Sequence, residues 1–313
     1  MLYSAKISHM ASPESDRREK TSRSLNGMLK RLEGIQVQFP GSEPFSLVDL
    51  HKLRGVYPGK VYDSHNSPYN TSQKYRGGGH HEWITWGKVP HHSLAATLVT
   101  DVLGEALELD TEYRANVNLA AWLHDSNKKT DRNLQRAIER GEPVISGSLR
   151  ERTVNLIFES RKKSLTVKAL ELASIQEEEE NSEYGIPPFI TDLMRQNNPP
   201  SANGHETIEG RIMWLADAVL TGTKIESVKA RMDRSENHPI HQERNRAYSE
   251  SFVPKYGRPL FDVQRDLGDR YVDQFSDLIG IKPEEFYDWL EQKVNERIKK
   301  GQLPIFPSVE GTT

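Results

Sequence analysis

Apolar positions first fall into a sustained pattern beside His92. From there to Leu109, residues Leu94, Ala95, Leu98, Val99, Val102, Leu103, Ala106 and Leu107 run in i, i+4 rows, which predicts a helix with a wide buried face. Asp110 stands where an N-cap belongs, and Ala115, Leu119, Ala120, Trp122 and Leu123 carry a second helix from Thr111 to about His124. Helical spacing recurs over Asp131 to Arg140, Ser148 to Ser160, Ser164 to Glu180, Pro187 to Gln196, Glu206 to Thr221 and Glu226 to Met232. After a loop at His238-Pro239, it returns over Gln242 to Phe252, Leu267 to Leu278 and Pro283 to Lys299. Pro187 and Pro283 fall in first-turn positions, where proline is tolerated. No stretch alternates polar and apolar residues strongly enough to predict a sheet, so the expected fold class is all-α.

Upstream the pattern weakens. Residues 11 to about 90 are broken by Pro40, Gly41, Pro44, Pro58, Gly59, Pro68 and Gly77-Gly78-Gly79, with one short helix expected from Ser46, as cap, to Leu53. This reads as an irregular arm over residues 13–87, laid on a helical core at 88–235 and followed by a helical C-terminal extension at 236–313. Residues 1–12 stand outside the fold reading, because Ser8 to Ser12 spell SHMAS, the form of a cloning junction. A length of 313 residues suits about two domains, or one with long extensions.

Composition narrows the function classes. Charged residues make up 28% and apolar types only 35%, so much of the chain must be solvated helix surface or loop. Lysine plus arginine total 42 against 45 acids, a net charge of −3, which excludes one dominant basic surface for nucleic acid. Nucleic acid stays open as a partner but is not indicated, and oligomerisation is open too. With no cysteine, disulfide frameworks, zinc ribbons and thiol nucleophiles are all excluded. No apolar run approaches a membrane span and the N-terminus has no signal core, so a soluble, cytoplasmic protein is expected.

The chemistry sits on polar residues embedded in apolar helices. Asp217 lies among Ile212, Met213, Leu215, Ala216, Val219 and Leu220, where a carboxylate is costly unless paired, hydrogen-bonded or bound to a cation. His124-Asp125 closes the helix ending Ala120 to Leu123, and His92 opens the helix before it. Any one of these has an ordinary reading as cap, ion pair or surface residue. Two imidazoles and two carboxylates together suit one first-row transition ion (manganese, nickel, cobalt, iron or zinc), with magnesium less favoured because it prefers oxygen ligands. His91 beside His92 leaves the choice of ligand open, with His92 preferred as head of the phrase HSLAATL.

The order His92, His124-Asp125, Asp217 resembles the HD-domain superfamily of metal-dependent phosphohydrolases. HSLAATLV is similar to the first metal helix of that family, LHDSNKK to its His-Asp-x-x-Lys element, and RIMWLADAVLTG to its last Ala-Asp-Ala helix. The resemblance covers roughly residues 88 to 232 and implies an α-helical bundle with His92, His124, Asp125 and Asp217 on a divalent ion. It also puts Lys128 at the family's lysine position. Ser126-Asn127 departs from the usual Ile-Gly, and the interval from Asp125 to Asp217 holds a single histidine, His205, which argues for one ion rather than two.

The activity so implied is hydrolysis of a phosphate ester, a nucleotide or cyclic nucleotide, by metal-activated water, as phosphomonoesterase or phosphodiesterase. Asp125 would serve as ligand and proton acceptor, Lys128 would steady charge on the phosphoryl group, and His205 would be a substrate-side group, a further ligand, or a plain surface histidine. Lys128, Lys129 and Arg211 are the substrate-binding expectations. Lys129 reads equally as solvated, and Arg211 could instead pair with Glu206 or Glu209. Two alternatives stand beside this: an iron oxygenase of a small substrate, which needs a two-metal site, and a nucleotide-binding regulatory module without turnover.

Overall fold

Helices account for nearly all the regular structure, as the spacing of apolar residues requires. The computed structural model describes residues 24–39, 44–48, 89–126, 185–196, 199–239 and 242–307. In chain order these form a helix over 24–32 (α1), the strands Gln36–Val37 (β1) and Phe45–Ser46 (β2), and the helices Val89–Ala106 (α2), Thr111–Leu123 (α3), Pro188–Arg195 (α4) and Ile208–Ala218 (α5). The strands Leu220–Thr221 (β3) and Lys224–Ile225 (β4) follow. Helices Val228–Glu236 (α6), Gln242–Glu250 (α7), Val253–Tyr256 (α8), Leu260–Ile279 (α9) and Phe286–Lys300 (α10) complete the order, the last entered through a 3-10 turn at Pro283–Glu285. The fold is all-α, with two small antiparallel strand pairs as fittings among the described residues.

α2 is the hub. Leu94, Leu98, Val99 and Leu103 are fully buried on it, and it packs against α3, α5 and α10. Asp110 caps α3 as expected, its carboxylate accepting from the Glu112 backbone N–H at 2.8 Å. Thr207 caps α5 by accepting from Gly210. Burying side chains such as Trp122, Trp214 and Phe275 completely is worth about 2–3 kcal/mol each, so the helix seams carry most of the stability.

One buried carboxylate in this core is purely a clamp. Asp101 of α2 is fully buried, with Oδ1 3.0 Å from Arg114 Nε and accepting from Asn118 Nδ2 at 2.9 Å, while Oδ2 lies 2.9 Å from Arg297 Nη1. Asn118 also donates to the Ile305 carbonyl at 2.9 Å. α2, α3, α10 and the tail beyond it are thereby tied at one point.

The structure departs from the sequence reading at several places. Within the arm, Leu25, Met28, Leu29 and Leu32 form the buried stripe of α1. The helix expected from Ser46 begins instead as a strand and turn, because Ser46 pairs with Gln36 and Phe45 with Val37; its remainder lies outside the described residues. Leu47 then accepts from the Trp122 indole at 2.5 Å, which fastens this segment to α3. α5 stops at Ala218, short of Thr221, and the chain reverses through the β3–β4 hairpin about Gly222. α9 begins at Leu260 rather than Leu267. The helices expected over Asp131 to Arg140, Ser148 to Ser160 and Ser164 to Glu180 lie outside the described residues.

Candidate metal centre

The centre is made where three helix ends meet. His92 lies in the first turn of α2, His124 is the C-cap of α3 with Asp125 following it, and Asp217 lies in the last turn of α5. Since α2 packs on both α3 and α5, the three ends converge although Asp217 is far along the chain.

His92, His124 and Asp125 form one group whose ligand atoms lie within 4.8 Å of one another, close enough to hold a metal ion. Asp217 adjoins it: its Oδ1 is 2.9 Å from His92 Nε2 and 3.8 Å from His124 Nε2. Asp125 stands 3.6 Å from each of the same two nitrogens, through Oδ2 to His92 and Oδ1 to His124. The imidazoles are tilted by 57° with centroids 5.4 Å apart, so they converge on a point rather than stack.

Backbone carbonyls set the chemistry of both rings. His92 Nδ1 lies 2.8 Å from the Gly222 carbonyl and His124 Nδ1 lies 2.6 Å from the Ala121 carbonyl. A carbonyl can only accept, so each Nδ1 carries a proton, and each ring turns its Nε2 toward the carboxylates. That is how a metal-ligating histidine is held by its outer partner. His124 Nε2 is buried and makes no hydrogen bond among the described residues, as a nitrogen awaiting a cation would.

Charge agrees with geometry. Burial alone would push the His124 pKa down, but the Asp125 and Asp217 carboxylates outweigh it and raise the value. Burial alone would lift the Asp217 pKa; the Arg231 guanidinium and the two imidazoles hold it well below the usual carboxylate range. Two carboxylates facing two imidazoles in a mostly buried space make a group that could hold a metal ion.

The four expected ligands are thus brought together, and His92 rather than His91 faces them. His91 Nε2 lies 2.7 Å from Asn26 Oδ1 and ties α1 to α2. His205 precedes α5, at the opposite end of that helix from Asp217, about 14 Å of helix away. Its Nε2 lies 2.7 Å from the Gln196 carbonyl and its Nδ1 3.1 Å from the Tyr271 hydroxyl. Arg211 donates to the carbonyls of His205 and Glu206 and to Gln274 Oε1, each at 3.0 Å, which places its guanidinium in the α5–α9 seam. Lys128 and Lys129 lie outside the described residues.

Two contributors had no assigned role in the sequence reading: the Gly222 carbonyl, and Arg231, which stands with Lys224 and Arg234 among the basic residues just after the Asp217 helix. Gly222 adopts φ +63, a conformation that favours glycine, and so turns the hairpin back over α2. Arg231, on α6, donates through Nη1 to the Asp217 carbonyl and has Nη2 3.6 Å from Asp217 Oδ2. A cavity of about 370 Å³ lies elsewhere, between the end of α2 and α10, and none of the four ligand candidates lines it. No helix among the described residues is long and apolar enough to cross a membrane. No protein-family model matches the chain, and no curated protein or solved structure matches it either.

Proposed function

We propose that this chain is a metal-dependent phosphohydrolase of the HD-domain kind, cleaving a small phosphate ester such as a nucleotide or cyclic nucleotide in the cytoplasm. The observation that carries the reading is the paired tautomer lock. Gly222 and Ala121 occupy both Nδ1 positions, so both Nε2 atoms are left facing Asp217 Oδ1. His92, His124, Asp125 and Asp217 would be the ligands, and an N₂O₂ set of this kind suits a first-row transition ion better than magnesium.

A bound ion of that kind would supply a water of lowered pKa and a Lewis acid for a phosphoryl oxygen. The residues provide the rest. Asp125 is buried beside both imidazoles, where a carboxylate can orient that water and take its proton. Lys128 follows the pair closely enough in sequence to meet a phosphoryl oxygen. Leu123 and Leu215 beside the ligands are fully buried, and a mostly buried setting strengthens each charge interaction.

The test is elemental analysis of the purified protein beside a phosphate-release screen over nucleotides and phosphodiesters with manganese, nickel, cobalt and magnesium. About one transition ion per chain with metal-dependent release is expected. A protein that takes up no metal and releases no phosphate under any of these conditions would sink the reading.

A further inference from the structure

We infer that Arg231 is the anion-recognising residue of this centre: it meets the charged oxygens of a phosphate that approaches the ion, in addition to holding Asp217. The inference rests on the proposed metal centre and names the group that would receive its substrate.

The argument begins with where the centre opens. The His124 side chain is 0% exposed, and those of His92 and Asp125 are 11% exposed, whereas Asp217 is 19% exposed. Among the four, Asp217 is thus the side chain most open to solvent. The Arg231 side chain, 24% exposed, adjoins it. The guanidinium therefore stands beside the most exposed of the four ligand candidates.

Next comes what that guanidinium has left to give. Arginine carries five N–H donors in a planar fork. Arg231 directs one through Nη1 to the Asp217 carbonyl, and its Nη2 stands 3.6 Å from Asp217 Oδ2, beyond a close hydrogen bond. No further hydrogen bond engages the fork among the described residues, so it keeps donors to offer beside the carboxylate that would ligate the ion, although its charge is also felt by Glu226. Arg234 differs, although it follows on the same helix: Glu226 and Thr221 engage its guanidinium. Arg211, expected for this role, is held in the α5–α9 seam. Among the described arginines these three are the ones near Asp217 in sequence, and Arg231 alone of them faces its carboxylate.

Charge balance fits the same role. Two carboxylates offset a divalent ion, so the filled centre would be close to neutral and by itself would attract a phosphate dianion weakly. Arg231 supplies the extra positive charge, in a form that can grip two phosphate oxygens at once. The hairpin places it there: reversal at Gly222 brings α6 back beside the end of α5.

Inorganic phosphate, titrated calorimetrically into the manganese-loaded full chain, is the test probe, with manganese content measured on every sample. Arg231→Lys keeps a cation for Asp217 but loses the planar fork; Arg231→Met removes both. Retained manganese in Arg231→Lys with phosphate binding weakened about tenfold, and further weakening in Arg231→Met, is expected. Phosphate affinity within about threefold of wild type in both variants overturns the inference. So does loss of manganese from both, because Arg231 would then serve Asp217 alone. Wild-type protein that takes up no manganese defeats the metal reading instead. In that case the inference survives only if the metal-free chain binds phosphate and Arg231→Met abolishes it.

Discussion

His92 Nε2 and Asp217 Oδ1 are 2.9 Å apart in space and 125 residues apart in sequence. The contact joins the start of one buried helix to the end of another. With Nδ1 of the same ring committed to Gly222, it requires either an imidazolium or a cation that replaces the second proton. A metal ion would take the Nε2 lone pair of a neutral ring while Nδ1–H stays on the Gly222 carbonyl.

Asp217→Asn keeps the side-chain shape but removes the charge and offers a donor where a ligand is needed. Metal content should fall from about one ion per chain to near zero, while far-UV circular dichroism stays helical because Asp217 lies at a helix end. Elemental analysis of the dialysed variant decides it. A full metal complement would remove Asp217 from the centre.

Metal binding should stabilise the fold by mass action. An ion at a hundred times its dissociation constant adds about 2.7 kcal/mol, or roughly 4–8 °C in Tm for a unit of this size. The His124→Ala, Asp125→Ala double variant should melt at the same temperature with or without manganese, and a chelator should bring the wild type down to its metal-free value. A manganese shift that persists in the double variant would place the ion elsewhere.

The Asp101 clamp should separate stability from chemistry. Removing its carboxylate takes the partner from half-buried Arg114 and leaves buried Arg297 with Glu105 alone, so the cost should fall near the lower end of the about 3–5 kcal/mol seen when one member of a buried ion pair is lost. Urea unfolding of Asp101→Ala should show that loss, while manganese binding per folded chain stays at the wild-type level. An unchanged urea midpoint would mean that the network carries little energy.

Much of this centre was legible because polar residues interrupt apolar helices. Asp217 among Ile212, Met213 and Leu215, and His124-Asp125 after Trp122 and Leu123, each had an ordinary reading alone, and only their combination pointed to an ion. Long-range partners were not legible. Ser46 suits a helix start or a strand equally, and pairing with Gln36 decides it. His205 and Arg211 read as chemistry until Tyr271 and Gln274 arrive from α9. Arg231 lies beyond a hairpin, and helical spacing cannot connect it with Asp217. The stripe Leu25, Met28, Leu29, Leu32 did carry a helical period, but it is short and lies in a stretch read through its prolines and glycines.

Gly222 tests the tautomer lock through the backbone. At φ +63 an alanine is strained by about 1–2 kcal/mol, although a Cβ there would meet nothing within 4 Å. The cost is therefore conformational, and relieving it moves the carbonyl that fixes His92. Gly222→Ala should lower Tm by several degrees and weaken manganese about tenfold, the range seen when an outer partner of a metal-ligating histidine is lost. Gly222→Asn tolerates the left-handed conformation better and should recover much of both. If alanine lowers Tm yet leaves manganese affinity intact, the Gly222 carbonyl does not orient His92, and the ring must be held by its packing alone.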